Sequence, residues 1–253
     1  MDDLKLELPY PPIVEAVLDI DCDVPATEDL TAFEAPALAR LGEWYPKLTY
    51  QWLQEFQLEA GAEAEQRSPT SNRAVQALRF QQADGKQLVQ VRAQGYSFNR
   101  LAPYTALDDY LNEIEKTWRI YVDVAHPTQV RQIRLRYINR ILIPMQQPLD
   151  LDRYLKLGPR VPDEDKLTLT SFFNQFAAVE LGTGLQVNTT LTVQLVEDGK
   201  LPVIFDNSVL SVAPELPENW DLLLGRIIAL RGLKNRVFKN TLTDACLELF
   251  QRP

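Results

Sequence analysis

One histidine, two cysteines and no long apolar run are the shortages of this 253-residue chain, and they exclude more chemistry than any motif suggests. With His126 alone, no histidine-rich metal site can be assembled, and a serine or cysteine triad would have to use that single residue. His126 precedes a proline in "VAHPTQ", a connector pattern. Cys22 and Cys246 lie near opposite ends of the chain, each in an apolar pattern. They are expected as buried reduced thiols, not as a disulfide or a metal pair. Apolar stretches such as Val14–Ile20 fall far short of the ~20 residues that span a bilayer. The start, "MDDLKLELP", is acidic where a signal peptide is basic. A cytoplasmic protein with no membrane contact is expected.

What is present is a normal core supply, 45% apolar with 9% aromatic, and a net charge of -9. The charge is uneven: residues 1–128 carry -10 and residues 129–253 carry +1. An acidic chain disfavours general nucleic-acid binding, which runs on phosphate neutralisation, and favours a protein or small-molecule partner.

Hydrophobic alternation predicts strands at Ile13–Val24, Trp52–Glu59, Ala74–Gln81 and Gln87–Phe98, with helices around Leu30–Trp44 and Tyr104–Tyr121. The second half repeats the order. Its strands are predicted at Val130–Ile143, Ser171–Glu180, Gln186–Val196 and Pro202–Val212, with a short helix near Leu151–Leu157 and a closing helix from Trp220. "ADGK" at 83–86 and "EDGK" at 197–200 each join strand-like runs, Asp-Gly being the pair a tight type I′ hairpin favours. "LAP" at 101–103 and "VAP" at 212–214 precede the closing helices, where proline would stop a strand. The expectation is an α+β protein of two pseudo-repeated β-α-β-β-β-α halves, 1–127 and 128–253, in one unit. Mainly antiparallel sheets would join edge to edge, with helices on one face.

The stretch "RQIRLRYINRILIP" poses the main question, with four arginines and no acid in one strand of an acidic protein. Period-two alternation puts Arg134, Arg136, Ile138, Arg140 and Leu142 on one face and Ile133, Leu135, Tyr137, Asn139, Ile141 and Ile143 on the other. In the first strand Glu15, Val17, Asp19, Asp21 and Asp23 share an acidic face. Two readings stay open. In one, acid and base are cross-strand partners in a seam; in the other, the arginines form a shallow site whose guanidinium forks hold a small anion.

"YPPIVEAVLDI", "LRYINRILIP" and "LKNRVFKNTLTD" resemble a sporadically distributed family of uncharacterised bacterial proteins of about this length. Its members open with a Pro-rich stretch before a Glu-Ala strand, carry an Arg-Tyr-Ile-Asn strand and end in a helix with Asn-x-x-Phe. The matching positions are Pro12, Glu15, Arg136, Tyr137, Asn139, Asn235 and Phe238. The resemblance spans nearly the whole chain and implies a bacterial or archaeal source, but no activity.

Other candidates are weaker. Asp19, Asp21 and Asp23 on one strand face could hold magnesium for hydrolysis, although the run lacks the glycine and glutamate of an EF-hand loop. "PDEDK" at 162–166 marks a solvated loop, and "LGTGL" at 181–185 lacks the lysine and helix of a phosphate loop. In "GRIIALRGLKNRVFKN" five basic residues scatter round the helix axis, while Leu223, Ile227, Leu230, Leu233 and Val237 cluster on one side. The basic residues are assigned to solubility and docking against the acidic half.

The expectation is therefore a non-enzymatic accessory or regulatory protein without cofactor or metal, acting on a protein partner from its own operon in a stress or defence module. Glu15, Arg134, Arg136, Tyr137, Asn139 and Arg140 are its candidate binding residues. The alternatives are a metal-dependent hydrolase using Asp19, Asp21 and Asp23, and a nucleic-acid binder using Arg134, Arg136 and Arg140.

Overall fold

The computed structural model describes residues 6, 8–25, 30–57, 70–145, 150–159, 166–167 and 169–251. Of the expected elements, Glu59 and the acidic run at 162–165 lie outside these residues. Nine strands form one antiparallel sheet: β1 (Ile13–Asp23), β2 (Lys47–Gln57), β3 (Thr70–Gln81), β4 (Gln87–Arg92), β5 (Gly95–Leu101), β6 (Gln129–Pro144), β7 (Phe173–Val179), β8 (Gln186–Val193) and β9 (Lys200–Glu215). The spatial order is β2-β3-β4-β5-β1-β6-β9-β8-β7. The helices are α1 (Glu34–Leu41), α2 (Leu111–Ala125), α3 (Trp220–Thr241) and α4 (Asp244–Glu248). The protein is α+β, and no helix among the described residues is long and apolar enough to cross a membrane.

β1 and β6 lie side by side near the centre of the sheet, with Leu18 opposite Leu135 and Ile20 opposite Ile133. Their alternation decides which face the helices cover. Ala16, Leu18, Ile20, Ile133 and Leu135 are buried in one core with Trp118 and Tyr121 of α2 and Leu223, Ile227 and Leu230 of α3. Each such side chain contributes about 1.5–3 kcal/mol by leaving water. A second cluster, around Ile141, Phe205, Phe238, Leu242 and Phe250, closes the far end of α3. Within the first core, Tyr96 and Thr117 share a hydroxyl hydrogen bond of 2.6 Å, and the Trp118 indole N–H donates to the Pro217 carbonyl.

Several expected elements differ. Leu151–Leu157 forms turns, because its backbone is pinned to the end of α3, with Leu155 bridged to Leu242 and Lys156 N–H donating to the Thr241 carbonyl. The run at 87–98 is two strands, split by a turn at Ala93–Gln94. The two Asp-Gly turns occupy different sheet positions, between β3 and β4 and between β8 and β9. Asp198 and Gly199 both have positive φ, as a type I′ turn requires, whereas at the first turn only Gly85 does. Pro214 falls inside β9 instead of ending it.

Gly95, just after that turn, has a φ of 155° and sits against β1, where an added Cβ would lie 2.4 Å from the Ile20 carbonyl oxygen. Gly182 has a φ of 91° but open space around it. Gly95→Ala is therefore expected to cost more than about 2 kcal/mol, and Gly182→Ala only the roughly 1 kcal/mol of backbone strain. Denaturant unfolding of both variants checks this; equal costs would refute the close-approach account.

Candidate functional site

The sequence-selected residues divide between the two faces of the sheet. On the face away from the helices, Arg134 donates to Asp19 through Nε (3.0 Å) and Nη2 (2.6 Å), and Asp19 also accepts from the Ser97 hydroxyl at 2.5 Å. Arg136 grips Asp206 of β9 through Nε at 2.9 Å, and Arg140 is paired with Glu197. Glu15 accepts from the Asn99 amide at 2.8 Å. Asp21 is held by Arg92 at 2.7 Å and by Gln132, and Asp23 lies 3.4 Å from Arg131. Among the described residues no three acidic, histidine or cysteine side chains converge on a point that could hold a metal ion. The arginines of β6 are thus neutralised by neighbours on three other strands or turns. Partly exposed pairs of this kind each contribute a few tenths to about 1 kcal/mol.

Tyr137 and Asn139 point the other way, into a cavity of about 520 Å³ beneath α3. That is within the roughly 300–1,000 Å³ usual for small-ligand sites. Four segments build it. β6 supplies Tyr137 and Asn139, both nearly inaccessible. The segment after β5 supplies Tyr104 and Asp108, and α3 supplies Arg231, Lys234, Asn235 and Phe238 at helical spacing. The N-terminal segment closes it with Leu6, Leu8, Pro12 and Ile13. That segment is anchored at two points: Tyr10 N–H donates to the Phe250 carbonyl, and Arg140 N–H donates to the Pro12 carbonyl. Pro12, Tyr137, Asn139, Asn235 and Phe238, which are scattered through the sequence resemblance, all line this one cavity.

Its polar lining combines two cations, one carboxylate and several hydroxyl and amide groups. The Tyr104 and Tyr137 hydroxyls are 2.7 Å apart and their rings meet edge to face. Burial pushes Tyr137 up to about 12 and raises Tyr104 as well, so both hydroxyls keep their protons at neutral pH. Arg231 donates from Nη1 to Asp108 at 2.7 Å, while its buried Nε has no acceptor. Lys234 is 8% exposed, and its Nζ lies 3.9 Å from the centre of the Tyr137 ring. No carboxylate among the described residues pairs with it. Burial, and then the charge of Arg231, push Lys234 down to about 7; the ring face is its one favourable contact as a cation.

Lys234 and Arg231 correct the assignment of α3's basic residues to solubility and docking. Arg231 does meet the first half, at Asp108, but the other basic residues that are paired meet their own half: Arg226 with Glu215 and Arg236 with Glu180. A signal was available. Lys234 follows Ile227 by seven residues and so lies within about 20° of it, in the middle of the apolar arc. The chain matches no protein-family model and no curated protein.

A buried ammonium without a counter-ion is a standing cost to the fold. Lys234→Met keeps the stem and removes the charge, and is expected to stabilise the chain at pH 6 by on the order of 1–3 kcal/mol. Below about 7 the lysine is charged both folded and unfolded. Between there and 10.5 the folded chain sheds the proton first, so wild-type stability rises with pH, by at most roughly 1.4 kcal/mol per unit. The advantage of the variant should shrink across that window. Denaturant unfolding at pH 6 and pH 9 tests this, and a less stable variant at pH 6 would contradict it.

Proposed function

We propose that the cavity under α3 binds a small carboxylate carrying an apolar body, and that the chain is an accessory or regulatory binding protein. The observation that carries this reading is Lys234, an ammonium more than nine-tenths buried at a cavity whose described lining offers it no acid. Against Lys234 and Arg231 stands one lining carboxylate, Asp108, already taken by Arg231. The remaining single positive charge suits a monoanion. Two tyrosine hydroxyls add donor capacity, and Leu6, Leu8, Pro12, Ile13 and Phe238 suit an aliphatic or aromatic tail.

The test uses 4-methylpentanoate on the full chain. At a hundredfold excess over its Kd, linkage gives about 2.7 kcal/mol, or roughly 5–10 °C in Tm for a chain of this size. No shift in the wild type, or an equal shift in Lys234→Met, overturns the reading.

A protein partner is the second function in this proposal, favoured by the outermost strand β7, which leaves Phe173 and Val179 exposed beside an unpaired edge. Tagged chain purified from its host with nuclease treatment should then show a stoichiometric protein complex by native mass. Recovery of the chain alone sinks that half of the proposal. The pseudo-repeat belongs here too. It is supported by strand order, which reads β1-β5-β4-β3 outward from the central seam on one side, with β2 added at its edge, and β6-β9-β8-β7 on the other.

A further inference from the structure

We propose that Lys234 captures a 2-oxo acid with an apolar side chain as a reversible imine, its carboxylate held on the Arg231 side of the cavity. The inference rests on the carboxylate reading above and adds a covalent step to it.

Three features of the site carry it. The Lys234 nitrogen reaches the cavity from the buried side of α3 and is not tied up by any carboxylate among the described residues. Arg231 stands three residues earlier on the same helix, a spacing that puts the two side chains on adjacent turns of one face. In a 2-oxo acid the carboxylate and the carbonyl carbon are one bond apart, so an acid group drawn towards Arg231 brings the electrophilic carbon towards Lys234. Thirdly, the cavity is far larger than the reacting atoms need, and its lining includes the apolar side chains of Leu8, Pro12, Ile13 and Phe238. That selects an aliphatic or aromatic substituent over a bare two- or three-carbon acid.

Desolvation and a neighbouring cation are the two means by which a lysine amine becomes nucleophilic near neutral pH. Both act on Lys234, which is pushed down to about 7. In the step, the nitrogen lone pair attacks the carbonyl carbon and the C=O π bond opens to a carbinolamine. Loss of water then forms the C=N bond. Both hydrogens of that water come from the nitrogen, so no oxidant, reductant or other reactant is consumed. The Tyr104 and Tyr137 hydroxyls, protonated and hydrogen-bonded to each other, leave one O–H in the same cavity to donate to the departing oxygen.

The experiment incubates the full chain with 4-methyl-2-oxopentanoate at pH 7, reduces with sodium borohydride and maps the modified lysines by mass spectrometry. The chain has nine lysines, of which Lys86 and Lys200 are exposed internal controls. At pH 7 an exposed lysine is unprotonated roughly once in 10³ molecules, whereas a group with a pKa near 7 is so about half the time. After allowing for its lower intrinsic nucleophilicity, Lys234 is expected to be trapped on the order of a hundredfold faster than Lys86 or Lys200. A Lys234 rate no greater than theirs overturns the imine. Melting with 4-methylpentanoate, which lacks the carbonyl, separates the two claims. A melting shift without a Lys234 adduct removes the imine and leaves the carboxylate site, whereas neither shift nor adduct removes both.

Discussion

Between β1 and β6, Asp19 meets Arg134 on one face of the sheet while Leu18 meets Leu135 on the other. Period-two alternation allows no other division once these strands are in register, and a slip of one residue would turn the charges into the core. The rest of the architecture follows from that contact. The apolar face must be covered, and α2 and α3 cover it; the polar face can stay wet because its charges are matched strand by strand. None of the individual pairs is worth much alone. Their effect is to penalise a slip of register, which would part Asp19, only 7% exposed, from Arg134.

The same register places the cavity. With β6 fixed beside β1, Tyr137 and Asn139 come under α3, and Pro12, just before β1, is tied to Arg140 by a backbone hydrogen bond. The N-terminal segment is thereby laid across the end of α3, where it becomes a wall. A leucine at position 234 would satisfy this packing at lower cost than an ammonium over a tyrosine ring. Departures from the most stable local choice collect at functional sites, and Lys234 is the largest such departure in the core.

The sequence made the strands legible wherever a single face is buried. The alternation of Val130–Ile143 appears in the structure residue by residue, from buried Ile133 to buried Ile143. It failed where backbone chemistry overrides the pattern. Gly95 reads as one more strand residue, but its close approach to Ile20 belongs to the turn that splits the run. Leu151, Tyr154 and Leu155 have helical spacing and are buried, but they make only one turn, Tyr154 and Leu155 N–H both donating to the Leu151 carbonyl, before Lys156 N–H pairs with the Thr241 carbonyl at the end of α3. Of the site, Tyr137 and Asn139 were within reach because they sit opposite the arginines on a plainly two-faced strand. Arg231 and Lys234 were lost to the assumption that charged helix residues face water. Tyr104 and Asp108 fall in the first turns of the helix expected at Tyr104–Tyr121, whereas α2 begins only at Leu111 and both residues lie in the segment before it.

The two faces of β6 differ in a way that separates structural charge from functional charge. Arg134, Arg136 and Arg140 each have an acid within contact, supplied by β1, by β9 and by the turn before β9. Such a surface presents little net field and its guanidinium forks are already occupied, so an incoming anion would have to break a pair to bind. On the other face of the strand no acid among the described residues pairs with Lys234, and low exposure denies it the water that would otherwise stabilise its charge. Bulk electrostatics therefore point to the arginine strand, while the unbalanced charge sits behind it. A small carboxylate entering that cavity would exchange its own hydration for a charge-assisted hydrogen bond in a medium of low dielectric, where such a bond is at its strongest. A carboxylate set against Lys234 itself would stabilise the ionised amine and draw protons onto it, whereas a 2-oxo acid with its carboxylate on the Arg231 side leaves the amine in the neutral form that burial favours.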